Sequence, residues 1–277
     1  MASRKEQKEQ ARAARLEAER TAAAAHAQRR RLQIIAGVVV AAVAVAAVLV
    51  AVSLGGNGGG LKTGHEASAL YAQVNAELEG IPQHGTTLGN TDAKFTLTFF
   101  GDLQCPICRA FSTGETVGGV TGGLPQFVSS QVRTGTAKIV YRSSCTATCG
   151  DYSDGKSIFT NQQTAAYAAG EQGKFWQYAE MFYRQQGAEG SGYATPAFIT
   201  KIGEQIPTLN LDTWMRDRAS SQLAARVSAD NNAAGSYVSK GITGTPGLLM
   251  TGPKGTTIVG TGSLPYSTLL AAMKTVA

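Results

Sequence analysis

Hydrophobic residues recur along this chain in three rhythms, and each predicts a different kind of element. From 34 to 54 the chain reads IIAGVVVAAVAVAAVLVAVSL, apolar throughout except for Ser53. A helix of that length crosses the ~30 Å hydrocarbon layer and satisfies its own backbone groups there. Over 66–79 the rhythm is helical but amphipathic, with Leu70, Tyr71, Val74 and Leu78 on one face and Gly80 and Pro82 beyond the end. Phe95–Phe100 is rich in β-formers with partial alternation, which predicts a strand. A helix is expected to start at Cys105, to break at Gly118-Gly119 and Gly122-Gly123, and to resume over Pro125–Val132. Ala137–Arg142 reads as a second strand, so strand, helix and strand follow one another as in a parallel sheet.

Farther on, apolar spacing over 162–186 predicts helix with a break at Gln172-Gly173, and further helices are expected at 196–206 and 211–237. Leu248–Thr251 and Thr256–Val259 flank Gly252-Pro-Lys-Gly255, a hairpin signal. Pro265 then opens a closing helix carrying Leu269, Leu270, Met273 and Val276. The outline is an α/β sheet whose parallel and antiparallel halves are separated by a long helical insertion.

Composition narrows this outline. A length of 277 residues allows one or two domains, and 43% hydrophobic with 16% charged residues excludes a wholly disordered chain. The net charge of +6 and a pI near 9.2 raise nucleic acid as a partner, until the charge is placed along the chain. Residues 1–31 hold nine Lys+Arg and four Glu, the rest hold 16 basic and 15 acidic groups, and none lies between Arg31 and Lys62. The excess is a property of a tail with interspersed Glu, which argues against nucleic-acid binding.

Arg29-Arg30-Arg31 abut the apolar run, so the positive-inside rule places the N-terminus in the cytoplasm and everything after 54 outside. A cleaved signal peptide is the competing reading, with Ala51-Val52-Ser53 as a small-residue site. Its apolar core would be only ~7–15 residues, so a retained anchor is favoured. The expected layout is a basic cytoplasmic tail (1–32), a transmembrane helix (33–54), a Gly-rich linker with a short amphipathic helix (55–85), and an extracytoplasmic domain (86–277) with a helical insertion at about 152–240. The six residues Gly55–Gly60 span about 13 Å, so the domain hangs close to the membrane, in a compartment where cysteines oxidise.

Four cysteines are too few to staple a fold of this size. Cys105-Pro106-Ile107-Cys108 follows the first strand directly, at the expected start of a helix. Unpaired N–H groups and the positive helix end stabilise a thiolate at Cys105, and Pro106 fits there because its missing N–H would be unpaired anyway. Cys108, one turn in, is the expected resolving thiol, and such a pair supports thiol–disulfide exchange. The competing readings are a structural disulfide, a zinc site shared with Cys145 and Cys149, and a cysteine hydrolase. The last needs a histidine, and only His26, His65 and His84 are present, all outside the expected helix. Cys145 and Cys149 follow the second strand four residues apart, a spacing that permits a disulfide contributing about 2 kcal/mol. A local structural brace is favoured over a second redox centre.

The strand with FGDLQCPICRAF, the later AAGEQGKFWQYAEMFY and GITGTPGLLM near the end together resemble the membrane-anchored, extracytoplasmic form of the DsbA-like thiol:disulfide oxidoreductases, of the thioredoxin superfamily. The resemblance spans about residues 86–277. It implies a thioredoxin fold with a helical domain between its βαβ and ββα halves, and catalytic Cys105 and Cys108 around the dipeptide Pro106-Ile107. It also implies a cis Thr245–Pro246 bond whose loop packs against Cys105 and presents backbone to substrate. The redox disulfide itself then serves, with no metal and no cofactor. The implied partners are exported proteins with free thiols and, for an oxidase, a membrane reoxidase of the DsbB-like or VKOR-like kind. Strongly oxidising members carry histidine between the cysteines, where this chain has Ile107. The direction of exchange, oxidase against reductase or isomerase, therefore stays open, as does a tethered thioredoxin-fold module that binds without turnover.

Overall fold

The computed structural model describes residues 60–153 and 156–277. The basic tail, the apolar stretch 33–54 and the start of the Gly-rich linker lie outside them. Among the described residues no helix is long and apolar enough to cross a membrane.

A first helix, α1 (Gly64–Leu78), buries Ala67, Val74 and Leu78 and ends before Gly80, which takes a φ of 74°. Two short strands follow, β1 (Gln83–His84) and β2 (Thr87–Leu88), and then β3 (Phe95–Gly101), α2 (Pro106–Thr113) and β6 (Ala137–Ser143). β3 and β6 pair in parallel from Phe95↔Ala137 to Gly101↔Ser143, the geometry that a strand–helix–strand crossover produces. Between α2 and β6, the Gly118-Gly119 break is the turn of a hairpin, β4 (Thr116–Val117) with β5 (Val120–Thr121), where both glycines hold positive φ. The helix then resumes as α3 (Leu124–Phe127) and a π turn over Val128–Val132. Gly122 and Gly123 lie where no Cβ fits: one on Gly122 would meet the Phe111 Cα of α2 at 2.7 Å.

After a small hairpin, β7 (Tyr152–Ser153) with β8 (Lys156–Ser157), come five helices: α4 (Ile158–Glu171), α5 (Phe175–Tyr183), α6 (Pro196–Glu204), α7 (Leu211–Asp217) and α8 (Ser221–Gly235). α4 is buried on nearly every side, and its run of Ala165, Ala166, Ala168 and Ala169 lets its neighbours approach closely. Gly173, at a φ of 67°, separates α4 from α5. The single helix expected over 211–237 is two. Trp214 is fully buried with its indole N–H on the Ala165 carbonyl at 2.8 Å, and Ser220 starts a new helix by accepting the Gln222 N–H.

β9 (Gly247–Gly252) and β10 (Gly255–Thr261) form the second hairpin, and α9 (Tyr266–Val276) closes the chain over it, burying Leu269, Met273 and Val276. The sheet order is β1-β2-β6-β3-β9-β10, with β3 antiparallel to β9. β1 and β2 were not foreseen, because a two-residue strand carries no periodicity to read. β6 alternates cleanly, burying Ala137, Ile139, Tyr141 and Ser143, and Phe99 of β3 stacks edge-on to Tyr141 and to Phe111 of α2. The carboxyl ends of β3 and β6 thus meet the N-terminus of α2 at one edge of the core.

Candidate active site

Cys105 is the N-cap of α2: its backbone is extended, and its sulfur accepts the Cys108 N–H at 3.4 Å. The sulfur also lies 3.4 Å from the Thr245 carbonyl, across 140 residues of sequence. The Thr245–Pro246 bond is cis, and this loop leads directly into β9, the neighbour of β3. Cys105 is 5% exposed and Cys108 fully buried, and neither is in a disulfide. Burial pushes the Cys108 thiol up, and the neighbouring Cys105 adds to this. Pro106 is buried and Ile107 half-buried. Arg109 pairs with Glu115, its Nε 3.1 Å from Glu115 Oε2.

Cys145 and Cys149 are joined by a disulfide, their Cα atoms 5.3 Å apart, which removes both thiolates from any four-cysteine zinc set. His65 and His84 are exposed on α1 and β1.

Three features of this site escaped the sequence reading. Asp102, between β3 and Cys105, is fully buried; its carboxylate accepts from the Gln104 N–H at 3.0 Å, from Gln162 Nε2 at 2.8 Å and from the Thr148 hydroxyl. Burial raises its pKa to about 6, against the lowering effect of those hydrogen bonds. The Asp102 backbone N–H faces the Cys108 sulfur. Its signal in the sequence was a lone acid in the otherwise uncharged run FGDLQCPIC. Gln186, beyond α5, donates to the carbonyls of Leu103 at 2.5 Å and Cys105 at 3.2 Å, and so ties the insertion to the active-site loop. Ser112 of α2 donates to Glu180 of α5, whose carboxylate also pairs with Arg184. Burial raises the Glu180 pKa, and Arg184 and Ser112 oppose it. A cleft of about 410 Å³, lined among others by Cys145, Thr146, Asn231 and Gly244, opens beside the cis-proline loop.

A cysteine-capped helix facing a cis-proline carbonyl, on a sheet of this order, invites comparison with known families, and the thioredoxin family profile matches residues 83–260. The chain belongs to the thioredoxin family. Within that family its fold is that of the DsbA-like oxidoreductases. BdbD from Bacillus subtilis, in its oxidised form, superposes with a TM-score of 0.55 at 16% identity, over 71% of this chain and 95% of that one. Wolbachia pipientis alpha-DsbA1 gives 0.52 at 12% identity, over 72% and 92%. Chlamydia trachomatis DsbA gives 0.52 at 17% identity, over 69% and 90%. Among curated protein sequences none matches the chain.

Proposed function

We propose that this thiol:disulfide oxidoreductase is held in the cell membrane by residues 33–54, with a cytoplasmic N-terminus, and oxidises exported proteins carrying free thiols through Cys105 and Cys108. The observation that carries the reading is the Cys105 sulfur, which sits at a helix N-terminus between the Cys108 N–H and the Thr245 carbonyl. The first contact sets a helix N-terminal N–H on the sulfur that exchanges, and the second sets peptide backbone beside it, where an extended client can dock on Thr245 and Pro246.

A client thiolate attacks Cys105 of the Cys105–Cys108 disulfide. The new bond joins client sulfur to Cys105, and the old bond's electron pair leaves on Cys108. A buried Cys108 with a raised pKa is a poor leaving group, and we assign the supply of its proton to Asp102, whose backbone N–H faces that sulfur and whose carboxyl has a pKa of about 6. A second client thiolate then attacks the client sulfur of the mixed disulfide, and Cys105 leaves as a thiolate. The client has lost two electrons and the protein has gained them. A membrane reoxidase, DsbB-like or VKOR-like, would restore the disulfide.

Cys108→Ser is expected to accumulate mixed disulfides with exported proteins, seen on non-reducing gels and lost in Cys105→Ser. Complete absence of such adducts defeats the exchange reading. One observation favours a second direction. Ile107 has no polar group to donate to the Cys105 sulfur, where strongly oxidising relatives carry a histidine, and Arg109 pairs with Glu115. A reduction potential near about −120 mV for Cys105/Cys108 supports the oxidase, and one near about −270 mV a reductase.

A further inference from the structure

We propose that the ring Cys145-Thr-Ala-Thr-Cys149 is a clasp on the exchange site, in which Thr148 positions the Asp102 carboxylate beside Cys108 and Thr146 positions Thr245 over Cys105. The inference rests on the exchange reading and adds to it residues that no motif marks.

The ring leaves β6 at the sheet edge where β3 delivers the active-site loop, and the Ser144 N–H bonds the Gly101 carbonyl at 2.9 Å. Its entry is pinned by Asn231, which accepts the Cys145 N–H at 2.8 Å. Of its two hydroxyls, that of Thr148 donates to Asp102 Oδ2, and that of Thr146 lies 3.2 Å from the hydroxyl of Thr245. One five-residue ring therefore touches the acid behind the resolving cysteine and the loop in front of the attacking one. A general staple is a poor account of it, because closing so short a loop removes little chain entropy. Valine would fill the buried Thr148 site equally well but would leave an oxygen of a buried carboxylate without its donor.

The titratable groups facing Asp102 are Cys108 of α2, Tyr141 of β6, Asp151 just past the ring, Tyr183 of α5, and Glu189 and Tyr193 of the segment after α5. None carries a positive charge, so the hydrogen bonds alone favour the ionised form of Asp102. Without the Thr148 hydroxyl, Asp102 holds its proton to higher pH.

The test follows the reduced, purified full-length chain reacting with oxidised glutathione. Cys105 thiolate attacks one glutathione sulfur and expels the other glutathione as thiolate. Cys108, giving its proton to Asp102, then attacks Cys105, closes the disulfide and expels the second glutathione. The pH at half-maximal closure is expected to rise by on the order of one unit in Thr148→Val and in Cys145→Ala/Cys149→Ala, and to stay at the wild-type value in Thr148→Ser. If Thr148→Val does not fold, by circular dichroism, the double alanine variant carries the test. A profile superimposing on wild type in the folded variants overturns the clasp while leaving exchange intact. Failure of the wild-type chain to form any glutathione adduct at Cys105 overturns the exchange reading instead. Loss of exchange in the double variant with an unshifted Thr148→Val profile makes Cys145–Cys149 a second redox pair and overturns the clasp.

Discussion

Asp102 accepts three hydrogen bonds in a site closed to water, and the desolvation outweighs them enough to leave its pKa at about 6. That has a consequence for stability as well as for proton transfer. Below about pH 4 the carboxyl is protonated in the folded and unfolded chain alike; between about 4 and 6 only the folded chain keeps the proton, so stability falls as pH rises through that window. Asparagine cannot ionise and keeps the acceptor for Gln104 and Gln162. Asp102→Asn is therefore expected to gain on wild type by on the order of 2 kcal/mol between pH 4 and pH 7, read as the difference in urea-unfolding free energy at each pH. A difference that does not change with pH would mean that Asp102 is ionised throughout. Glu180 is also raised by burial, but Asp102 is not among the charges that act on it, so it cancels from the comparison. Glu189 is raised by burial and by Asp102 itself, so part of its shift is relieved in the variant and adds to the gain in the same direction.

Among the elements, the helical insertion braces the active-site loop through few side chains. Gln186 is 1% exposed and uses its amide on Leu103 and Cys105. The Cys105 carbonyl also accepts the Arg109 N–H at 3.1 Å, so removing the amide orphans chiefly the Leu103 carbonyl. Gln186→Leu, close in volume, is expected to cost about 1–3 kcal/mol in urea unfolding and to speed hydrogen exchange at the start of α2. A change confined to α5 would show that the insertion does not support the loop. Elements of this kind differ in how readable they were. β3, β6, α1, α2 and α9 announced themselves through apolar spacing and terminal Gly or Pro, which are local signals. The α7–α8 break did not, because it turns on Trp214 reaching Ala165, 49 residues away. Gln186 left no trace at all, since a glutamine near a helix end looks like any solvated residue until the loop it caps is in place.

For the whole molecule, the expected anchor and the catalytic fold make a joint prediction. The full chain is expected to stay in the membrane fraction through alkaline carbonate, with residues after 60 cleaved by protease added to the outer side and the N-terminal tail protected. Release into the soluble fraction would point to cleavage near Ala51-Val52-Ser53 instead. The apolar run, the Arg29–Arg31 block, the CPIC pair and the Gly-Thr-Pro loop are contiguous stretches whose chemistry is carried by neighbours in the chain, and so the sequence by itself determined the expected topology, the expected reactive pair and the thioredoxin-like fold class. Only the tertiary structure decided what stands around that pair. Asp102, Thr148, Gln162 and Gln186 come from four separate segments, and no periodicity links them. Folding brings them around the active-site loop, where exclusion of water raises the pKa of Asp102, Thr148 and Gln162 become its hydrogen-bond donors, and Gln186 holds the loop itself.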